Sequence, residues 1–512
     1  MSLSYFMQVC SFKSSLRTIA AFLLRSRATQ KRRADDKAEE ISRLRETIEQ
    51  HERTIAKAKQ ERGETNLLVT QLKLEIERLR QQPLVLPPDP SLPDHRYGAR
   101  MISLCINLAR AIGLRPTIAC LEIIFLWLGL DVQLPDWTNV RLWLMRAGVA
   151  ALEEPVEPAD DWIWMADHSN QIGPEKALVI VGLRAANMPP PGEALRHQDL
   201  RVLHVQPGVN WKREDMATVY QTLAAKIGNP LAVVVDGAVE LREGAEVLQK
   251  EGKGTIVLGD FKHFAATVLK KVVGGSPTYA AFTAEVGKTR AAIQQTELGH
   301  LTPPTLRPKA RFMNLASTLK WGAMVLWQLA QPHSKARSEI TAERLNVKLG
   351  WLREYHAELT QWNACQDVVS ASLTFINEQG LSRDTADRLA AELKLLATCD
   401  ASGLVRDRLV DFVRQSEAKL TAGQRLPLST EILESTFGLY KQLERQHSKG
   451  GFTSLLAAFG ALLKPATPES IRRDFARVSV KQLRAWVASN LKTTLASKRK
   501  AAYAEFTKAS AA

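Results

Sequence analysis

Apolar residues recur along this chain in distinct rhythms, and each predicts a different kind of structure. Between residues 34 and 82 the period is seven. Ile41, Ile48, Ile55, Arg62, Val69 and Ile76 fall at one heptad position, and Leu44, His51, Ala58, Thr65, Leu72 and Leu79 at the other. The ends of this run are apolar, while its middle, around Gly63, is not. The pattern predicts a coiled coil that pairs two chains. A lone amphipathic helix lying on its own domain fits the same pattern. Residues 83–97 follow, with Pro83, Pro87, Pro88, Pro90 and Pro93. No helix survives that density of proline, so this stretch is expected to be a linker. Over 98–150 the period becomes helical. Ala99–Ile112 ends at Gly113, and Pro116 opens a second helix to about Leu128. A short third helix, capped by Asp136 or Thr138, closes at Gly148.

After an acidic, proline-bearing connector at 151–160, short apolar runs alternate with polar turns. They predict strands at Trp162–Ala166, Leu178–Leu183, Arg201–Val205, Leu231–Val235 and Thr255–Leu258. Helical patterns cover Arg213–Ile227, a stretch near Leu241–Lys250, and Phe261–Val272. The expected order over 161–274 is therefore β-β-β-α-β-α-β-α. From 275 to 425 only helical patterns continue, as at Lys309–Leu329 and Val347–Glu378. Their tryptophans, Trp321, Trp327, Trp351 and Trp362, are spaced for core packing rather than for stacking on bases. Residues 426–463 return to the α/β part, and 464–512 form a basic helical tail.

Charge sharpens this picture by where it lies. The chain carries a formal net charge of +15. Residues 1–33 hold seven Lys or Arg and no acid, and residues 471–512 hold ten against Asp474 and Glu505. The two ends thus account for the whole net charge. Basic arms around a neutral body suit a polyanion, nucleic acid above all; solubilising tails are the plainer reading. In the same vein, helix, glycine-containing turn and short helix over 98–150 resemble a helix-turn-helix. Thr138, Asn139, Arg141 and Arg146 would then lie on the helix that enters the major groove of double-stranded DNA. Any small three-helix module gives the same pattern.

Five scattered cysteines, with no CxxC pair and no Cys/His cluster, argue against zinc and against a secreted disulfide framework. The start lacks a basic signal-peptide region, and the most apolar stretch, Cys120–Leu130, is short and contains Glu122. The expectation is a cytoplasmic, nucleoid-associated protein with no membrane segment.

Three acids carry the candidate chemistry. Asp167 follows Trp162–Ala166, Asp236 follows Leu231–Val235, and Glu434 lies in a helical stretch with Lys441 seven positions on. Three meandering strands followed by α/β alternation is the order of the ribonuclease H fold, which brings the ends of its first and fourth strands together. The expected fold class is thus an α/β ribonuclease H-like core with an all-α insertion, preceded by a coiled coil and a helix-turn-helix-like module. Two aspartates at strand ends and a glutamate on a later helix can hold two Mg²⁺ or Mn²⁺ ions for phosphodiester chemistry. Each acid also has an ordinary reading: Asp167 and Asp236-Gly237 as turn residues, and Glu434 as a solvated helix residue.

With these residues in place, the chain resembles a bacterial insertion-sequence transposase of the DDE type. The carrying motifs are Trp162-x-Trp164-x-x-Asp167-His168, Asp236-Gly237-Ala238, Asp260-Phe261-Lys262-His263, and Glu434 with Lys441. The resemblance implies that Asp167, Asp236 and Glu434 hold the metals and that Lys441 contacts DNA phosphate. Asp260 and His263 would stand beside the ligands rather than among them. Arg445, His447 and Lys449, along or beyond the same helix, could touch the DNA backbone; a solvated face explains them equally well. One departure is visible: the arginine that many members carry four residues before the glutamate is Thr430 here. The implied activity is metal-dependent strand cleavage and strand transfer at the element's ends and at target DNA, by a homodimer or higher oligomer. The rival readings are an inactive or domesticated DNA-binding protein and a structure-specific nuclease of the same fold.

Overall fold

The computed structural model describes residues 16–81, 86–172, 174–250, 254–306, 312, 315–331, 341–445 and 452–509. It divides into two compact units, Met1–Pro88 and Asp89–Ala512. The described part of the first unit is one helix, α1 (Leu16–Gln81). Its 66 residues, at 1.5 Å each, span about 100 Å. It runs through Gly63 unbroken. Ile48, Ile55, Val69, Leu72 and Ile76 of the heptad run are all exposed on this helix.

The second unit opens inside the proline-rich stretch, whose latter half is tied down rather than free. The Asp89 carboxylate accepts hydrogen bonds from the backbone N–H groups of Arg100 and Met101 at 2.9 and 2.8 Å. It thereby satisfies the first turn of α2 (Ala99–Ile112). After α3 (Leu114–Trp127), Asp136 caps α4 (Trp137–Leu152) through the Thr138 N–H. The sequence suggested a small helix-turn-helix-like module whose third helix reads DNA. Instead α4 is an interior helix, with Val140 and every residue from Trp143 to Ala150 buried. It packs on the 3₁₀ segment Ser454–Leu462. The crossing is so close that a methyl at Gly148 would collide with the Ala457 carbonyl.

The sheet has five strands: β1 (Trp162–Ile172), β2 (Glu175–Arg184), β3 (Arg201–Val209), β4 (Ala232–Val235) and β5 (Ile256–Gly259). Their spatial order is β3-β2-β1-β4-β5. β1–β2 and β2–β3 pair antiparallel, β1–β4 and β4–β5 parallel. Helices α5 (Arg213–Ile227), α6 (Val239–Lys250) and α7 (Phe261–Val272) follow β3, β4 and β5, as the apolar rhythm predicted. Period-two alternation sorts β1 between two cores. Trp162, Trp164 and Ala166 face Met216 and Tyr220 of α5, while Ile163 and Met165 face the larger core on the other side. β1 continues six residues past Ala166, because β2 keeps pairing with it after β4 has ended. Asp167 therefore lies within β1 rather than after it.

The helical block comprises α8 (Pro277–Ile293), α9 (Leu315–Ala330), α10 (Ala342–Leu349), α11 (His356–Gln379), α12 (Thr385–Glu392) and α13 (Asp400–Glu417). Trp321 and Trp362 are buried, and Trp351 and Trp362 join Tyr279, Phe282 and Tyr355 in one aromatic cluster. Trp327 is exposed. The chain then forms α14 (Glu431–Arg445), α15 (Pro468–Arg477), α16 (Val480–Asn490) and α17 (Leu495–Ala509). The basic tail is only partly a tail. Ile471, Phe475, Val478, Leu483 and Leu491 are buried, whereas Lys498, Arg499 and Lys500 are exposed. Among the described residues no helix is long and apolar enough to cross a membrane.

Candidate carboxylate site

Parallel pairing of β1 with β4 matches Ala166 to Val235, so Asp167 and Asp236 come next on adjacent strands. Alternation puts Asp167 on the side of Ile163 and Met165, and Asp236 on the side of Ala232 and Val234. Both carboxyls thus belong to the sheet face that carries the larger core. Each is oriented by a local backbone donor: the His168 N–H reaches Asp167 Oδ1 at 2.6 Å and the Ala238 N–H reaches Asp236 Oδ1 at 2.8 Å. Asp167 is only 7% exposed. Its burial, and then the charge of Asp236, push its pKa well above the usual carboxylate range; burial raises that of Asp236 too.

Glu434 sits in the first turn of α14 and acts electrostatically on Asp167. Its approach is fixed by α7. Asp260 caps that helix through the His263 N–H at 3.0 Å, and its other oxygen takes the backbone N–H of Thr430 at 2.8 Å and also the Thr430 hydroxyl. Thr430 in turn accepts the N–H groups of Leu433 and Glu434 at the start of α14. Burial would raise the Asp260 pKa, but His263 and Thr430 hold it below the ordinary value. Asp260 is therefore the joint between the two helices.

Three cations surround the acids. His263 Nδ1 lies 3.6 Å from Asp260 and 4.0 Å from Glu434. Asp260 foremost, with help from Asp236 and Asp167, lifts the imidazole pKa to about 9, so it is charged at neutral pH. Lys262 Nζ lies 2.9 Å from both Glu431 Oε1 and Glu434 Oε2. Burial opposes its charge, but the two carboxylates more than offset that and raise its pKa. Lys441 is on an exposed part of α14. Lost hydration lowers its pKa, while Asp167 and Glu434 pull it back up. His168 points the other way, stacked on Trp211 with ring centres 5.7 Å apart. Its burial brings its pKa down to about 4, so it is neutral.

Sequence reasoning passed over Lys262, Glu431 and Asn377. Lys262 lies inside the quoted Asp260–His263 motif, and Glu431 is one helical turn before Glu434; either spacing was a usable signal. Asn377 comes from α11 and carries no signal in the sequence.

The residues assigned to groove reading end up elsewhere. Arg146 is 6% exposed, and its guanidinium donates to the carbonyls of Val478 and Phe475, lies 2.6 Å from His95 Nε2, and stacks over the Phe475 ring. A side chain held this way is not offered to DNA, which corrects that expectation. Arg141 is half-buried and donates to the Ser454 hydroxyl at 2.5 Å. Thr138 is exposed but turned to Asp136, 2.6 Å away, and Asn139 is half-buried beside it. Arg445 ends α14, exposed; His447 and Lys449 lie outside the described residues.

Among the described residues, no three His, Cys, Asp or Glu side chains converge closely enough to hold an ion as they stand. The chemistry of the site nonetheless suits a divalent cation. Its donors are carboxylate oxygens, the type Mg²⁺ and Mn²⁺ take. Asp167, buried, and Asp236, half-buried, are crowded together, and Glu434 Oε1 is buried with no hydrogen-bond partner.

No protein-family model matches the chain, and no curated protein matches it. Among solved structures it is similar to the Drosophila P element transposase strand transfer complex. The TM-score is 0.34 at 12% identity, over 82% of this chain and 100% of that one.

Proposed function

We propose that this chain is a DNA transposase built on a ribonuclease H-like core, using Asp167, Asp236 and Glu434 as metal carboxylates. The observation that carries this reading is the register of β1 against β4, which sets the buried Asp167 and the half-buried Asp236 side by side on the face that α14 approaches with Glu434. Asp167, Asp236 and Glu434 would hold two Mg²⁺ or Mn²⁺ ions. When bound, those ions supply an activated oxygen nucleophile and a stabilised leaving oxygen for phosphodiester cleavage and transfer. The protein's own residues do the rest. The sheet fixes Asp167 and Asp236, Asp260 and Thr430 fix the first turn of α14, and His263 and Lys441 add positive charge where a DNA backbone would lie.

The reading includes a paired chain. The exposed heptad face of α1 suits a second copy, and Leu72→Asp with Ile76→Asp is then expected to convert a dimer to a monomer in light scattering.

The test is cutting of the DNA that flanks the reading frame, by the full chain with Mg²⁺ or Mn²⁺. Nicking at inverted repeats, followed by joining of the freed 3′ ends to target DNA, is the expected result. Equal cutting by Asp236→Ala would overturn it. Cutting of junctions without joining would point instead to a structure-specific nuclease. The second reading, a DNA-binding protein without catalysis, draws on the ion pair that Glu434 makes with Lys262. It is the outcome if DNA is bound and never cut.

A further inference from the structure

The contact between Lys262 and Glu434 bears directly on how a cation reaches the acids. Lys262 is held at the first turn of α7, its side chain 16% exposed. Two carboxylates one turn apart on α14 compete for this single ammonium, each at 2.9 Å. They are not equivalent. Glu431 has a further anchor, since Asn377 Nδ2 of α11 donates to its second oxygen at 2.8 Å. The second oxygen of Glu434 is buried and accepts no hydrogen bond; the charged His263 Nδ1 stands 4.0 Å away, too far to donate to it. Glu431 is thus a complete ion-pair partner, and Glu434 an incomplete one.

We propose that Lys262 is an internal countercation that guards Glu434, and that Glu431, braced by Asn377, is where its charge rests when a divalent ion takes Glu434. This rests on the reading of Asp167, Asp236 and Glu434 as metal carboxylates. Breaking a half-buried ion pair still carries a cost when the less exposed charge, here Lys262, is left alone. Here the ammonium keeps Glu431, so the exchange strands no charge. The ion must still displace Lys262 from Glu434, which makes metal affinity weaker than the carboxylates alone would give. Lys262 acts through Glu434 and is a positioning residue.

Mn²⁺ binding to the full, DNA-free chain, read by electron paramagnetic resonance of the free ion, tests this. Lys262→Gln removes the competitor and is expected to tighten Mn²⁺ binding about tenfold. Glu431→Gln, an isosteric change, removes the resting place and is expected to weaken binding by a similar factor, about tenfold. Simple charge effects predict the same two signs, so the double variant decides. With Lys262 gone, Glu431→Gln should change affinity by less than about twofold, because the two residues act as one unit. Additive effects in the double variant, or unchanged affinity in Lys262→Gln, overturn the proposal. If Lys262→Gln does not fold, Asn377→Ala carries the test without changing any charge: it removes the brace on Glu431 and is expected to weaken Mn²⁺ binding, and unchanged binding overturns the proposal. If wild-type protein binds Mn²⁺ no better than Asp236→Asn, the metal-site reading itself falls, an outcome distinct from failure of the guard.

Discussion

Asp260 accepts two hydrogen bonds from Thr430 through one carboxylate oxygen, one from the backbone N–H and one from the hydroxyl. The pair ties the end of β5 to the start of α14 across 170 residues of sequence. Thr430→Val keeps the shape and the N–H but removes the hydroxyl. Hydrogen bonds to a charged group contribute about 1.5–3 kcal/mol each, so a loss of about 2 kcal/mol is expected in urea unfolding. Metal-dependent cutting should fall with it, since Glu434 is held through this joint. A variant as stable and as active as wild type would show that Glu434 is placed by other contacts.

The Asp167–Asp236 pair costs the metal-free fold stability at neutral pH. Both folded pKa values are raised. The folded state therefore holds protons that the unfolded chain has lost, and stability declines as pH rises above the unfolded carboxylate value, near about 4. Asp236→Asn is expected to raise the melting temperature of metal-free protein at pH 7.5 by on the order of 2 °C. The gap should narrow toward pH 5. Scanning calorimetry across that range checks both statements; a lower melting point at pH 7.5 would contradict them.

Gly148 and Gly460 allow α4 and the 3₁₀ segment Ser454–Leu462 to touch backbone to backbone. Gly148→Ala forces them apart, and overpacking of this kind costs about 1–3 kcal/mol or more. Chemical denaturation should show the loss, while Gly438→Ala, with open space around it, should be neutral.

Burial pushes the thiols of Cys105 and Cys365 up to about 12. Only about one in ten thousand is thiolate at pH 8, so native protein should leave both unalkylated by iodoacetamide. Of the described cysteines, Cys120 and Cys399, half-exposed, should label first. Peptide mass spectrometry with and without urea distinguishes the sites, and rapid native labelling of Cys365 would mean that α11 opens.

The acids were legible because their placement is a property of strands. A polar residue directly after an apolar run, on two strands that the α/β order makes neighbours, leads to Asp167 and Asp236. The alternation that builds the core also assigns their face. Thr430 shows where a family pattern stops helping. The arginine expected there is missing, and the position instead serves Asp260, a contact that only tertiary structure reveals. Arg146 was misread for a related reason. On a helical wheel an arginine counts as exposed, yet its five donors can be satisfied inside a protein by carbonyls that lie more than 300 residues later. Sequence spacing says nothing of such partners.

The burial of α4 also sets a schedule for making the protein. Arg146 and Phe475 are 329 residues apart. At about 5–20 residues per second, a ribosome takes roughly 15–65 s to travel between them. For that interval Trp143, Leu144 and Val149 belong to a helix that has only its earlier neighbours, α2, α3 and Tyr97, to pack on. The nascent chain must therefore carry a half-covered apolar helix through most of its own translation. The enclosure of α4 is completed only when Ser454–Leu462 and α15 arrive like a clasp.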